Sequence, residues 1–155
     1  MNAIVVVDTS VLCRFLGVRD SPEDQKATRT DYQERIKAGE RMFLPLATIL
    51  ETGNHIAKMD DGTLRRRCAE SLCDLVRKTR QVPAEVPFLP LGDWRDEDID
   101  GFLAAFPDWV GKRSGLADLT IQRDWDRLCK ANTGRRVYIW SFDKHLSSFD
   151  RGPTI

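Results

Sequence analysis

Ile4-Val5-Val6-Val7-Asp8-Thr9-Ser10-Val11-Leu12, near the start of a 155-residue chain, decides how the rest is read. A run of β-branched residues with no polar alternation reads as a strand buried on both faces, as in a parallel sheet covered by helices. Asp8, Thr9 and Ser10 each carry an oxygen that can accept from the unpaired amides of a helix start. Val11, Leu12, Phe15 and Leu16 then recur at helical spacing until Gly17. A buried strand that passes directly into a helix is the opening of a β-α-β unit.

The same alternation continues outward. Ser21-Pro22-Glu23-Asp24 carries an N-cap, a proline at the first helical position and acids in the first turn, so a polar helix is expected over 21–38, with Gly39 as its stop. Residues 41–44 read as a short strand. Pro45 opens a helix whose inner face is expected at Leu46, Ile49, Leu50, Gly53 and Ala57. After the turn Asp60-Asp61-Gly62, residues 63–79 form the clearest amphipathic helix, with Leu64, Cys68, Leu72, Leu75 and Val76 on one side. Pro83, Pro87 and Pro90 punctuate a connector holding a short strand over 86–89. A helix over 93–106, a loop over 107–115, a helix over 116–130 facing inward through Ala117, Ile121, Trp125 and Leu128, and a strand over 136–140 complete the reading. Strands alternating with helices predict an α/β fold with a largely parallel sheet in one domain spanning 1–155.

Composition narrows the function. Apolar residues make up 41% and charged residues 31%, the profile of a soluble globular protein. The apolar run at 3–7 is too short for a signal segment or a membrane span, so no membrane is expected and the cytoplasm is the expected location. The 24 basic and 24 acidic residues cancel, which argues against a non-specific polyanion binder. A nuclease with an acidic site and a basic rim remains compatible; Arg65-Arg66-Arg67, Arg77-Lys78 with Arg80, Lys112-Arg113 and Arg135-Arg136 are rim candidates. Cys13, Cys68, Cys73 and Cys129 form no C-x-x-C pair and each falls in an apolar stripe, so all four are expected as small core residues rather than zinc ligands or disulfides.

Four acids mark the expected junctions between strands and helices. Asp8 follows the first strand, Glu51 lies in the helix after the second, Asp118 opens a later helix, and Asp143 follows the strand 136–140 through Ser141-Phe142. In a parallel sheet the carboxyl ends of the strands share one edge, and ligands bind outside it. Carboxylates gathered there repel one another, and a divalent cation removes that penalty; an all-oxygen site suits Mg²⁺ or Mn²⁺. A metal-dependent phosphodiesterase is the chemistry this pattern suggests. Each acid also has an ordinary role: a helix cap for Asp8, a first-turn acid that suits the helix dipole for Asp118, a polar face with Asn54, His55 and Lys58 for Glu51, a turn for Asp143. The pair Glu51 and His55 lacks the third nitrogen ligand that would make it a metal motif. It is the recurrence of acids at βα junctions that favours a site.

These segments resemble the four motifs of PIN-domain nucleases: Val7-Asp8-Thr9-Ser10-Val11-Leu12, the stretch 46–58 bearing Glu51, Gly115-Leu116-Ala117-Asp118-Leu119-Thr120-Ile121, and Ser141-Phe142-Asp143-Lys144-His145-Leu146. Within that family the chain is most similar to VapC-type toxins of toxin–antitoxin pairs. The resemblance implies a three-layer fold with a central parallel sheet of four to five strands flanked by helices, Mg²⁺ or Mn²⁺ at the acids, and hydrolysis of single-stranded RNA. It assigns Asp8, Glu51, Asp118 and Asp143 to the acidic positions. Asp8 and Asp118 are then direct ligands, Asp143 binds directly or through water, and Glu51 holds a second ion or acts as a base. Ser141 orients a carboxylate or the attacking water, and Ser10 reaches toward the same place. Arg14 either approaches the scissile phosphate or is an exposed helix arginine. A cognate antitoxin is implied, and a homodimer is a further expectation; the polar helices 21–38 and 63–79 are the expected contact surfaces.

The chain departs from the family pattern in its long Pro- and Trp-containing stretch 80–114, in Gln122 where many members carry another acid, and in a short tail that leaves room for a last strand only near Thr154-Ile155. Two alternatives stand beside this reading. One is a PIN scaffold that binds RNA or protein without catalysis. The other is a phosphatase of the haloacid dehalogenase type, which needs a second Asp where this chain has Ser10.

Overall fold

The computed structural model describes residues 2–81, 88–91 and 116–154. Its centre is β1 (Ile4–Val7), every residue of which is at most 1% exposed. A β-branched run buried on both faces needs strands on both sides and helices above and below, and the topology supplies them. The sheet order is β3-β2-β1-β4-β5, with β2 at Arg41–Pro45, β3 at Leu89–Leu91, β4 at Val137–Trp140 and β5 at Asp150–Arg151. β1 pairs in parallel with β2 (Ile4 beside Arg41) and with β4 (Ile4 beside Val137, Val7 beside Trp140), and β2 pairs in parallel with β3.

Alternate residues of the strands feed two cores. Val5, Val7, Met42, Leu44, Tyr138 and Trp140 point to one face, covered by α1 (Thr9–Leu16) through Val11, Leu12 and Leu16 and by α4 (Gly62–Gln81) through Cys68, Leu72 and Leu75. The polar α2 (Pro22–Lys37) lies over the same face, buries only Thr28, and adds Tyr32 as a half-buried ring. Ile4, Val6, Val137 and Ile139 point to the other face, covered by α5 (Leu116–Ala131) through Ile121, Trp125, Leu128 and Cys129. Fully burying a Val, Ile or Leu side chain stabilises by roughly 1.5–3 kcal/mol, so the double coverage of β1 is a principal contribution. The α/β class and the mostly parallel sheet between helices therefore agree with the reading of the sequence.

Helix α3 (Leu46–Ala57) departs from it. The expected inner face through Leu46, Ile49, Leu50, Gly53 and Ala57 is met only at Ile49, which packs against the core: Ala47, Thr48, Thr52 and Ile56 are the buried residues, and Leu50 is 57% exposed. The cause is the close approach of α3 to the end of β1. Small residues fit there, and Thr48 donates its hydroxyl hydrogen to the Val7 carbonyl at 2.9 Å, so burial leaves this polar group satisfied. This orientation turns Glu51 and His55 toward the end of the sheet.

The last strand departs as well. It lies at Asp150–Arg151, not at 154–155, and pairs antiparallel with β4, so the sheet has four parallel strands and one antiparallel edge. The connection 141–149, which holds the single-turn α6 (Lys144–Ser147), is shorter than the dozen or more residues a parallel crossover requires. The tail is instead fastened to the turn after α5: Arg151 donates to the carbonyls of Cys129, Asn132 and Arg135, and Thr154 N donates to Thr133 O at 2.8 Å. β3 begins at the last residue of the expected 86–89 strand; its Pro90 is tolerable because β3 is an edge strand. The expected helix 93–106 and loop 107–115 lie outside the described residues.

Cys13, Cys68 and Cys129 are buried as expected, whereas Cys73 is exposed, one position past the buried Leu72 on α4. Among the described residues no helix is long and apolar enough to cross a membrane.

Candidate active site

β1 continues outward on one side through β2 and β3 and on the other through β4, so the direction of connection reverses between β1 and β4. That is the switch point at which open parallel sheets bind ligands, beyond the carboxyl ends of the strands. A cavity of ≈ 430 Å³ lies there, and Asp8, Glu51, Asp118 and Asp143 all line it. The sequence spaces these acids over 135 positions (8 to 143); the sheet edge brings them to one wall.

Asp8 accepts three hydrogen bonds at this wall. It is 4% exposed and is the N-cap of α1. Its Oδ2 accepts from Ser10 N at 3.2 Å, Ser10 Oγ at 2.7 Å and Ser141 Oγ at 2.7 Å. Hydrogen bonds to a charged acceptor are the stronger kind, and they offset the cost of burying the carboxylate. The two serines in turn accept from the next junction: Phe142 N donates to Ser10 Oγ at 3.1 Å and Asp143 N to Ser141 Oγ at 2.9 Å. The end of β1 and the end of β4 are thus tied through one carboxylate and two hydroxyls. Asp8 Oδ1 takes none of these bonds.

The remaining acids are held separately. Asp143 caps α6, its Oδ1 accepting from His145 N at 2.7 Å and Leu146 N at 3.4 Å. Glu51 Oε2 accepts from Thr9 Oγ1 at 2.9 Å, a contact that exists because α3 turns its Thr48 face inward. Asp118 is half-buried in the first turn of α5. The capping role read for Asp8, the cap that Asp143 supplies where a turn was expected, and the cavity-lining role therefore coexist. Ser141 does orient a carboxylate, but that of Asp8 across the strand gap and not that of its neighbour Asp143. Among the described residues no three His, Cys, Asp or Glu side chains converge closely enough to hold a metal ion, so the acids share a wall without forming a tight cluster.

Several of the rim candidates point elsewhere. Arg65 donates to the Met59 carbonyl, Arg66 pairs with Glu70, Arg77 with Asp74 and Arg136 with Asp150, all away from the cavity. Lys112 and Arg113 lie outside the described residues. The cavity is lined instead by Arg14 and Arg19. Gly17 ends α1 at φ 79°, and the turn that follows puts Arg19 at φ 69°, a left-handed conformation uncommon for a residue with a Cβ. Arg14 Nε lies 3.5 Å from Asp20 Oδ1, and its guanidinium carbon sits 3.9 Å from the centroid of the Phe142 ring. The left-handed glycine at Gly17 was the available signal that residues 18–20 fold back toward Asp8. Cys13 and His55 also line the cavity; burial pushes the Cys13 thiol up to about 11, so it is neutral at pH 7, and the buried His55 Nδ1 has no hydrogen-bond partner among the described residues.

No family model and no solved structure matches the chain. It is similar to dynein axonemal assembly factor 3 of Bos taurus, at 26% identity over 113 residues. That alignment covers 70% of this chain, which spans only about a fifth (21%) of the length of that relative.

Proposed function

We propose that the chain is a metal-dependent endoribonuclease of the PIN kind that hydrolyses phosphodiester bonds in single-stranded RNA, and that it serves as the toxin of a toxin–antitoxin pair. The observation that carries the proposal is the meeting of Asp8, Glu51, Asp118 and Asp143, from four separate segments of the chain, on one cavity at the switch point of the sheet. The donors fit Mg²⁺ or Mn²⁺ in chemistry, being carboxylate oxygens, and Asp8 and Asp118 are the residues assigned to hold it, with Asp143 and Glu51 beside them. When bound, such an ion lowers the pKa of a coordinated water and neutralises charge on phosphate oxygens.

The chain's own residues account for the rest. Ser10 and Ser141 keep Asp8 Oδ2 occupied and so present Oδ1. Thr9 fixes one oxygen of Glu51, leaving Oε1 as the candidate base. Arg14 and Arg19 offset the charge of an entering phosphate, which an all-acid cavity would otherwise repel. A cognate antitoxin would be needed to restrain the activity, with α2 and α4 as its contact surfaces or those of a homodimer.

A second reading is a scaffold of the same fold that binds RNA or protein without turnover. It is favoured by the lack of a tight acid cluster among the described residues and by the similarity to part of an assembly factor. The discriminating experiment is incubation of purified protein with labelled single-stranded RNA and Mn²⁺. Cleavage that is abolished by chelator and by Asp8→Asn supports the nuclease; intact RNA under all conditions with retained binding supports the scaffold.

A further inference from the structure

We infer that Phe142, braced by Arg14, is a stacking platform for an unpaired nucleobase at the lip of the cavity. Three observations meet at this residue. Phe142 is 44% exposed although it lies between buried Ser141 and the capping Asp143, so an aromatic ring is presented to solvent at the edge of a charged cavity. Its position is set rather than loose: its backbone N–H donates to Ser10 Oγ, the same hydroxyl that holds Asp8 Oδ2. Its ring carries the Arg14 guanidinium at 3.9 Å, and Arg14 is itself held by Asp20. The ring and the innermost carboxylate are thus tied through one serine.

The ligand chemistry follows from what surrounds the ring. Arg14, shared with Asp20, and Arg19 are the cations of a lining that also holds five carboxylates, and they offer a phosphate its approach at the Phe142 side, while Phe142 favours a flat apolar face. A single-stranded nucleic acid offers both at adjoining positions, phosphate and base, whereas a duplex keeps its bases stacked on one another. The inference rests on the nuclease reading for the identity of the substrate as RNA, and it places the stacked base next to the phosphate that faces Asp8. Stacking on an aromatic ring is blind to base identity, so the platform contributes positioning rather than sequence choice.

The test separates binding from turnover. Affinity of the purified protein for a fluorescein-labelled ten-nucleotide single-stranded RNA is measured by anisotropy in chelator, where nothing can be cut. Phe142→Ala is expected to weaken binding by about tenfold, since a base–aromatic stack is worth that order of affinity. Phe142→Trp is expected to restore it, and Arg14→Ala to weaken it by a smaller factor. Circular dichroism melts of each variant report folding, and because the ring is half in solvent, Phe142→Ala should melt near wild type. Wild-type affinity in Phe142→Ala, or no RNA binding by the wild-type protein, overturns the inference. Phe142-dependent binding without Mn²⁺-dependent cleavage leaves the platform standing and removes the nuclease; cleavage with Phe142-independent binding does the reverse. A protein partner whose capture depends on Phe142 while RNA binding does not would also overturn it.

Discussion

Ser141→Ala removes one hydroxyl at the point where the β1 and β4 junctions are joined. That hydroxyl donates to Asp8 Oδ2 at 2.7 Å and accepts from Asp143 N at 2.9 Å, and Ser141 is only 9% exposed. A hydrogen bond to a charged partner contributes about 1.5–3 kcal/mol. Asp8 keeps its two bonds from Ser10, and the Asp143 amide can turn to water, so the loss should fall near 2 kcal/mol. For a domain of this size that corresponds to a fall of roughly 4–8 °C in Tm. Urea denaturation and thermal melts followed by circular dichroism measure it. Ser141→Thr, which keeps the hydroxyl, should recover most of the loss. A double-mutant cycle with Asp8→Ala isolates the pair, with an expected coupling above about 1 kcal/mol. The same bonding changes the expectation for Asp8→Asn: repulsion among clustered acids predicts a neutral or stabilising effect, whereas a carboxylate accepting three bonds predicts a loss. If Ser141→Ala melts within about a degree of wild type and the cycle shows no coupling, the network is not holding the two junctions together.

Asp118→Asn should abolish Mn²⁺-dependent cleavage in a gel assay, and millimolar Mn²⁺ should raise the Tm of wild type but not of the Asp8→Asn Asp118→Asn double variant, because binding to the folded state alone stabilises it. Burial lifts the Asp124 carboxyl from 3.8 to about 7, outweighing Arg127, which lies 3.9 Å away and is half in solvent. A folded pKa above the unfolded one means that ionisation costs stability, absent below pH 4, growing from pH 4 to 7 and full above 7. Asp124→Asn should therefore melt above wild type at pH 8, by an upper figure of about 4 kcal/mol, with the gap closing at pH 4; equal melting at both pH values would contradict it. Gly17→Ala should cost about 1 kcal/mol or more in urea denaturation, since Gly17 has φ 79° and an added Cβ would meet the Gln25 side chain at 3.0 Å.

Local chemistry made much of this protein legible in one dimension. The Ile4–Val7 run, the Asp8 and Ser21 caps, Pro22 and the glycines at 17 and 39 act within a few residues, and the structure places strands, helix starts and stops at those points. The acids at the βα junctions were legible for the same reason, because a parallel sheet puts every such junction on one edge. Other features depended on partners distant in the chain. Which side of α3 faces inward was set by the Val7 carbonyl accepting from Thr48, an attraction invisible to a hydropathy pattern that favoured Leu50. The direction of β5 was set by a connection too short to cross over and by carbonyls at 129, 132 and 135 that Arg151 could reach. Of the cavity's arginines, Arg14 comes from α1 and Arg19 from the left-handed turn after it, and neither from the basic runs on α4. The bonds of Ser141 to Asp8 and of Phe142 N to Ser10 required β1 and β4 to be neighbours first, since hydrogen bonds reach about 3 Å and residues more than 130 positions apart meet only when the sheet has formed.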